Sequence, residues 1–346
     1  MRHNLLMRRF KIIIILLLSS RVITAQTGGD NTYEFLNLSH YAMVTALGGS
    51  NVSLWTTDHN MAYYNPALLN QSSLGQISLN YVNYYAGINY GSAAYTGSYR
   101  NYGNFLAGIT YFNYGKFNRA DPSGILSGSF RAAEYALNII WSYRIDTLFN
   151  IGLNFKPVIS QLERYTSIGM AFDLGAAYHS MDGRVSAGLT LRNIGFQLTT
   201  YTGTREKLPF EIIAGVSGKL EHAPFRFSLT VKHLEKYDMT YDYINGSSTD
   251  QSLSGFNEFA ENIMRHLIVG TEFIPTKNFF LLAGFNYQRR KELLLESHSS
   301  SVGFSWGFGI KLTTFDLSFG RSRYHLAGSV NNFSLIVKPA SFIKKN

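Results

Sequence analysis

Two stretches of this chain carry residue types that could do chemistry, and in both the spacing argues against it. Asp58-His59-Asn60 sets a carboxylate beside an imidazole, the raw material of a metal site. Adjacent residues in a loop more commonly hydrogen-bond a turn, and the ligand spacings that close a zinc site are missing. The stretch Gly303 to Gly309 has the glycine density of a phosphate cradle, but its glycines alternate with Phe304, Trp306 and Phe308. A cradle needs its glycines at a strand-to-helix turn, and no helix follows. The nine His are scattered singly, and no nucleophile–base pair stands out. There is no Cys, which excludes a lipoprotein anchor, disulfides and thiolate ligands. The expectation is a protein without catalytic residues, cofactor or metal.

The elements that would have to position any site are strands. Val302 to Lys311 places Val302, Phe304, Trp306, Phe308 and Ile310 on one face, with Gly303, Ser305, Gly307, Gly309 and Lys311 on the other. Residues 184–193 and 225–233 repeat the pattern. Period-two alternation over eight to ten residues fits a tilted strand of roughly membrane-spanning length. The remaining segments are 76–84, 92–99, 104–113, 133–144, 149–160, 168–179, 209–219, 266–274, 278–288, 314–322 and 328–337. The gaps between them alternate. Those at 100–103, 145–148, 180–183, 220–223, 275–277 and 312–313 are short, and Asp182-Gly183 is a tight-hairpin signal. Those at 114–132, 161–167, 194–208, 235–265 and 289–301 are long, while 85–91 and 323–327 are modest. Parity between gap length and strand number is the mark of an outer-membrane barrel, with tight turns at one end and free loops at the other. In lipid every backbone group must be paired, so the sheet has to close. The pattern predicts an all-β protein: a 14-stranded antiparallel transmembrane β-barrel of the outer membrane, its termini in the periplasm, with a short N-terminal plug or cap segment.

Composition agrees. Arg8, Arg9 and Lys11 precede the apolar run Ile12 to Leu18, and Ile23-Thr24-Ala25 reads as a cleavage site. This run is too short for a membrane-spanning helix of about 20 residues, so residues 1–25 read as a secretory signal peptide. Its loss would remove Arg2, Arg8, Arg9, Lys11 and Arg21 and no acid, lowering the net charge from +9 to +4. That is no nucleic-acid footprint. The mean hydropathy of −0.05 and the 23 Tyr and 25 Phe suit β structure. Domain organisation follows: signal peptide 1–25, plug or cap 26–75, barrel 76–338, basic tail 339–346.

One face of each strand should meet lipid. The other is rich in Gly, Ser, Asn and Thr, with charges at Glu134, Arg144, Asp173, Glu211 and Glu272, which we expect to brace a filled interior more readily than to line a conducting lumen. Tyr81, Tyr84, Trp141, Tyr143 and Tyr287 lie near strand ends, where interfacial aromatic girdles form. Pro157 marks a candidate kink, since proline removes a ladder hydrogen bond. The final strand runs through Phe333, Leu335 and Val337 and not to a terminal aromatic residue.

Residues 26–75 do not alternate. Ser39 to Leu47 reads as a short helix with Ser39 as N-cap and Gly48-Gly49 as its stop. This segment carries a spaced signature: Tyr33-Glu34-Phe35-Leu36-Asn37-Leu38, then Ala46-Leu47-Gly48-Gly49 with Val52-Ser53-Leu54, then Asn65-Pro66-Ala67-Leu68-Leu69. It resembles the N-terminal signature of the PorV/PorQ family, outer-membrane barrels of the type IX secretion system in Bacteroidetes that are related to FadL-type 14-stranded transporters. The opening and the compact length resemble the PorQ branch more than the PorV branch. The run Ser39-His40-Tyr41-Ala42-Met43 departs from the Ser-Ala-Arg-like run that family members often carry.

The resemblance implies a non-enzymatic secretion component that anchors a PorZ-like surface protein within the attachment complex linking cargo to lipopolysaccharide, with PorU and PorV as further partners and no nucleic acid. The external loops would supply the contact surface, above all 235–265 with Tyr237, Tyr241, Tyr243 and Phe256, since exposed aromatics anchor interfaces. Two alternatives stand beside it: a FadL-like transporter of hydrophobic small molecules, and a PorV-like shuttle that binds cargo C-terminal domains.

Overall fold

A computed structural model describes residues 31–121, 123–239, 255–293, 301–325 and 328–343. The signal-peptide reading of 1–25 and the last residues of the basic tail lie outside them. Fourteen antiparallel strands close into one barrel: β1 Ile77–Asn83, β2 Asn89–Ser98, β3 Asn104–Ala120, β4 Leu126–Arg144, β5 Phe149–Leu162, β6 Tyr165–His179, β7 Val185–Thr199, β8 Glu211–Lys219, β9 Phe225–Val231, β10 Leu267–Thr276, β11 Phe279–Asn286, β12 Phe304–Lys311, β13 Phe315–His325 and β14 Gly328–Val337. Each pairs with its sequence neighbours, and β1 closes on β14 with Ile77 opposite Val337 and Asn83 opposite Asn331. All fourteen expected segments are strands.

Alternation sorts the two faces as expected. Leu79, Ile109, Leu137, Leu189, Val269, Trp306 and Phe333 point outward and are exposed, whereas Asn80, Thr110, Asn138, Gly188, Ser305 and Ser334 point into the lumen. An apolar belt around a closed, edgeless sheet is a surface made for lipid. No helix among the described residues is long and apolar enough to cross a membrane.

The structure corrects several details. The gap 114–132 is mostly strand: β3 and β4 continue as a hairpin that leaves only Asp121 to Ile125 as a connection. The 161–167 gap shrinks to Glu163-Arg164. Beyond the belt a strand no longer needs an apolar outer face, so the alternation that reveals a membrane strand fades there. Helices occupy parts of two other gaps, α2 Gly255–His266 and α3 Tyr287–Leu293, and Tyr287 therefore opens a helix. A last short helix, α4, spans Ala340–Ile343. Pro157 sits opposite Met170 in unbroken register with β6, while the ladder to β4 lapses at Pro157 and Lys156 and resumes in the same register beyond them, an interruption without a register shift. Arg144 keeps the inward parity of Ser142 but lies exposed at the turn-end mouth, where its Nε donates to the Asp146 carbonyl (2.8 Å).

Candidate functional site

The lumen is filled by the chain's own N-terminal segment. Helix α1 spans Ala42–Ala46, flanked by 3-10 turns at Glu34–Asn37, His59–Tyr63, Pro66–Leu68 and Gln71–Ser73. The helix is capped by Tyr41 and not by Ser39, whose hydroxyl instead bonds Thr45 Oγ1 and the Tyr64 hydroxyl, each at 2.9 Å. Gly48 and Gly49 stop it with φ of 104° and 96°. Asp58 behaves as a turn former: its Oδ1 accepts from the Asn60 amide (2.8 Å), its Oδ2 accepts from the Tyr41 hydroxyl, and His59 Nδ1 meets Gln76 Oε1 at 3.1 Å.

The segment runs the length of the barrel. Thr32 donates its amide to the Lys207 carbonyl (2.9 Å), which lies between β7 and β8 at the loop end. From there the chain descends and enters β1 at the turn end. The strands thus begin and finish on the turn side as expected, but the segment ahead of them starts on the loop side.

Wall glycines receive the plug backbone. A Cβ on Gly188 would lie 1.9 Å from the Val52 carbonyl oxygen, one on Gly152 2.3 Å from the Pro66 carbonyl carbon, and one on Gly320 2.1 Å from the Ala42 carbonyl oxygen. Polar lumen side chains then bind the plug by its backbone. Ser305 Oγ donates to the Ala46 carbonyl (2.9 Å), Asn286 Nδ2 to the Gly48 carbonyl (3.2 Å), and Arg192 to the Leu36 carbonyl (2.9 Å). Ser305 falls within Gly303-Phe304-Ser305-Trp306-Gly307, which has the spelling of a hydrolase nucleophile elbow. Here it is flat strand and its serine is a docking bond.

Buried ion pairs brace the wall behind the plug. Lys156 meets Asp173 at 2.6 Å, Lys232 and Arg192 meet Glu211 at 2.9 and 3.7 Å, and Arg226 pairs with Glu272. Two residues of β7, Arg192 and Asn193, bulge opposite Asp173, with Asn193 at φ 57°. The bulge re-aims Asn193, as bulges do. Its amide donates to Asp173 Oδ1 (2.8 Å) and its Nδ2 to Asn37 Oδ1 (2.7 Å), tying wall to plug. Arg192 and Arg226 were legible only as members of polar strand faces, and Lys156 shares that parity in its strand; Asn193 lies on the apolar parity of β7, and only the bulge turns it inward.

All of the signature but Glu34 is docked here. The Tyr33 hydroxyl bonds Ser167 Oγ (2.5 Å), Asn65 Nδ2 donates to the carbonyls of Val52 and Ala176 (2.9 and 3.0 Å), and Pro66 and Ala67 are buried. Glu34 alone faces solvent, accepting from Asn31 Nδ2 (3.0 Å). Phe35 enters an apolar chamber in the loop-end half of the lumen. Its ring lies 6.2 Å from Phe112, which stacks on Tyr90 (4.8 Å) and touches Tyr114 (4.6 Å). Leu36, Leu38, Val82, Val158, Leu208 and Val330 complete the chamber. His40, beside Tyr63 and Tyr64, is fully buried, and burial with the nearby Arg192 charge pushes its imidazole down to about 3.

Of the loop aromatics, Tyr237 is 80% exposed. Tyr241 and Tyr243 lie outside the described residues, and so does the Phe256 side chain, although its backbone belongs to α2. No group of three or more His, Cys, Asp or Glu among the described residues is placed to hold a metal.

No family model matches this chain, and no curated protein does. Among solved structures it is similar to the TodX monoaromatic hydrocarbon channel. A deltaS2 mutant of that channel gives a TM-score of 0.54 at 13% identity, covering 86% of this chain and 97% of the other. The deltaS2S3 mutant gives 0.52 at 12% identity, covering 87% and 98%. A structure of the toluene transporter TodX of P. putida gives 0.50 at 13% identity, covering 87% and 97%. The likeness is one of fold: a closed 14-stranded antiparallel barrel like those of outer-membrane proteins.

Proposed function

We propose that this protein is a non-enzymatic outer-membrane channel for hydrophobic small molecules, of FadL-like type, closed at rest by its N-terminal segment. The observation that carries this reading is the chamber around Phe35. Near the loop end the lumen wall gathers Val82, Tyr90, Phe112, Val158 and Val330 into an apolar, aromatic cluster, and the plug residue set among them is a ring on a short 3-10 turn. Binding sites for small apolar ligands are concave and lined in this way. In this reading Phe35 holds the place of a ligand, and entry of one displaces it. That TodX is described as a channel for monoaromatic hydrocarbons agrees with the size of the side chain. The loop end would face outward and the tight turns the periplasm.

The test is uptake of toluene and of a medium-chain fatty acid by vesicles carrying the full chain. Uptake above that of empty vesicles, raised several-fold by Phe35→Ala, supports a gated channel. No uptake by either protein overturns it.

A second reading is favoured by a different observation. The β3–β4 hairpin rises beyond the belt and ends in Ile125 and Leu126, 66% and 65% exposed, with Tyr237 on another loop. Exposed apolar tips of this kind suit a protein partner. With the signature Tyr33 to Ala67, they fit the anchor of a PorZ-like surface protein in a type IX attachment complex, with PorU and PorV nearby and lipopolysaccharide around it. Here the plug would be permanent. Recovery of a surface protein with the tagged barrel, lost on replacing residues 121–126, together with an absence of uptake, would favour this reading.

A further inference from the structure

The outer wall carries a second concavity that neither reading uses. It has a volume of about 710 Å³ and lies in the corner where the β3–β4 hairpin overhangs the β5–β6 turn. Its floor is the stacked pair Tyr111 and Tyr135, ring centroids 5.0 Å apart, both facing outward at the loop-end edge of the apolar belt. Directly below them on the same face are Ile109, Leu137 and Ile139, exposed like the rest of the belt.

Its walls are basic. Lys116, Arg119, Arg131 and Arg164 line it against the single carboxylate of Glu163, an excess of three positive charges. Arg119 is held by Glu163 at 2.5 Å, and Arg164 lies against the Tyr165 ring. Lys116 and Arg131, side by side in the β3–β4 register, are exposed and take part in no ion pair among the described residues. The ladder between β3 and β4 shifts at Tyr114-Gly115. That shift turns Lys116 outward while Tyr114 turns inward to donate to Glu134 (2.6 Å). The concavity is thus built by a bulge, and bulges re-aim side chains.

We propose that this concavity holds the phosphate-bearing headgroup of a glycolipid in the leaflet at the loop end, with Lys116 and Arg131 on the phosphate and the acyl chains along Ile109, Leu137 and Ile139. The charge excess calls for an anion. The continuity with the aromatic edge and the apolar belt calls for one carrying hydrocarbon, because free phosphate would use neither. A phosphorylated sugar headgroup is bulky enough for the volume and stacks on tyrosine rings. The assignment of leaflet rests on the orientation proposed above, and lipid binding is independent of whether the lumen conducts.

The test is native mass spectrometry of the full barrel in detergent, titrated with bisphosphorylated lipid A, its dephosphorylated form, phosphatidylglycerol and inorganic phosphate. The expectation is retention of the bisphosphorylated glycolipid in preference to the other three. The double variant K116Q/R131Q should bind it roughly twenty-five-fold more weakly, at about fivefold for each cation lost at a charged surface. K219Q/K311Q, exposed or half-exposed at the turn end, should bind as the parent does. Equal binding of inorganic phosphate, preference for phosphatidylglycerol, or an unchanged affinity in K116Q/R131Q would each overturn the proposal. Toluene uptake by the same protein reconstituted into vesicles reports separately on the channel.

Discussion

Gly188 of the barrel wall and Val52 of the plug share one volume: a methyl group on the glycine would lie 1.9 Å from the Val52 carbonyl oxygen. The plug is seated by backbone contact against a wall shaved to receive it. Overpacking a filled interior costs about 1–3 kcal/mol. Gly188→Val is therefore expected to loosen the plug and leave the barrel closed. Limited proteolysis after residue 40 should become faster, while the heat-induced mobility shift of the barrel on gels stays the same. A plug as protected as in the parent would contradict this seating.

The Lys156–Asp173 pair is almost wholly buried and is joined by the Asn193 bulge. Removing one partner strands the other charge and costs about 3–5 kcal/mol, whereas replacing both with apolar groups costs much less. Asp173→Asn should lower the thermal unfolding midpoint more than the double change Lys156→Met with Asp173→Leu. The reverse order in a melting series would show that the pair is not what braces the bulge.

His40 gives the docked plug a pH dependence. Its imidazole is held at about 3 by burial first and by Arg192 second, against an ordinary value near 6.5. Below pH 6.5 the released segment takes up a proton that the docked one refuses. Docking is therefore at full strength above that pH and weakens as pH falls toward about 3, by up to 1.4 kcal/mol per unit. Burial lowers His59 in the same direction. The hydrogen-exchange protection of residues 33–47, taken relative to the intrinsic amide rates at each pH, should fall between pH 7 and pH 5, and less so in His40→Gln.

The path of the plug predicts a topology. A cysteine placed at residue 31 should react with an impermeant maleimide from the same side as one at residue 125, and one at Gly183 only from the other. Thr32 beside Lys207 at the loop end is the reason. Labelling of position 31 together with position 183 would show that the segment does not traverse the lumen.

The barrel was legible because lipid enforces it. Phe304, Trp306 and Phe308 on one face with Ser305 and Gly307 on the other are what a strand between hydrocarbon and a packed lumen must show. The loop-end half of β4, from Leu126 to Arg131, was not legible, because strands standing above the bilayer have no such constraint. Helix α2 lay almost wholly inside the gap 235–265, which a search for period-two alternation marks only as a long connection.

The site divides in the same way. The signature from Tyr33 to Ala67 named residues that matter but not what they touch. Asn65 could be read as a turn residue from Asn-Pro; that it also holds Ala176 of β6 is a contact across 111 positions. Glu211 and Asp173 stood out as inward charges, yet Lys232, Arg192 and Lys156 became their partners only when the sheet closed.

Sequence by itself determined the number of strands, which face of each is apolar, and where the tight turns fall, since all three follow from local alternation against two solvents. The tertiary structure decided that the N-terminal segment fills the lumen, that it enters from the loop end, and that Phe35 meets Phe112. Those are encounters between residues far apart in the chain, fixed by shape and hydrogen bonding inside a closed volume, and no period of two or any other repeat encodes them.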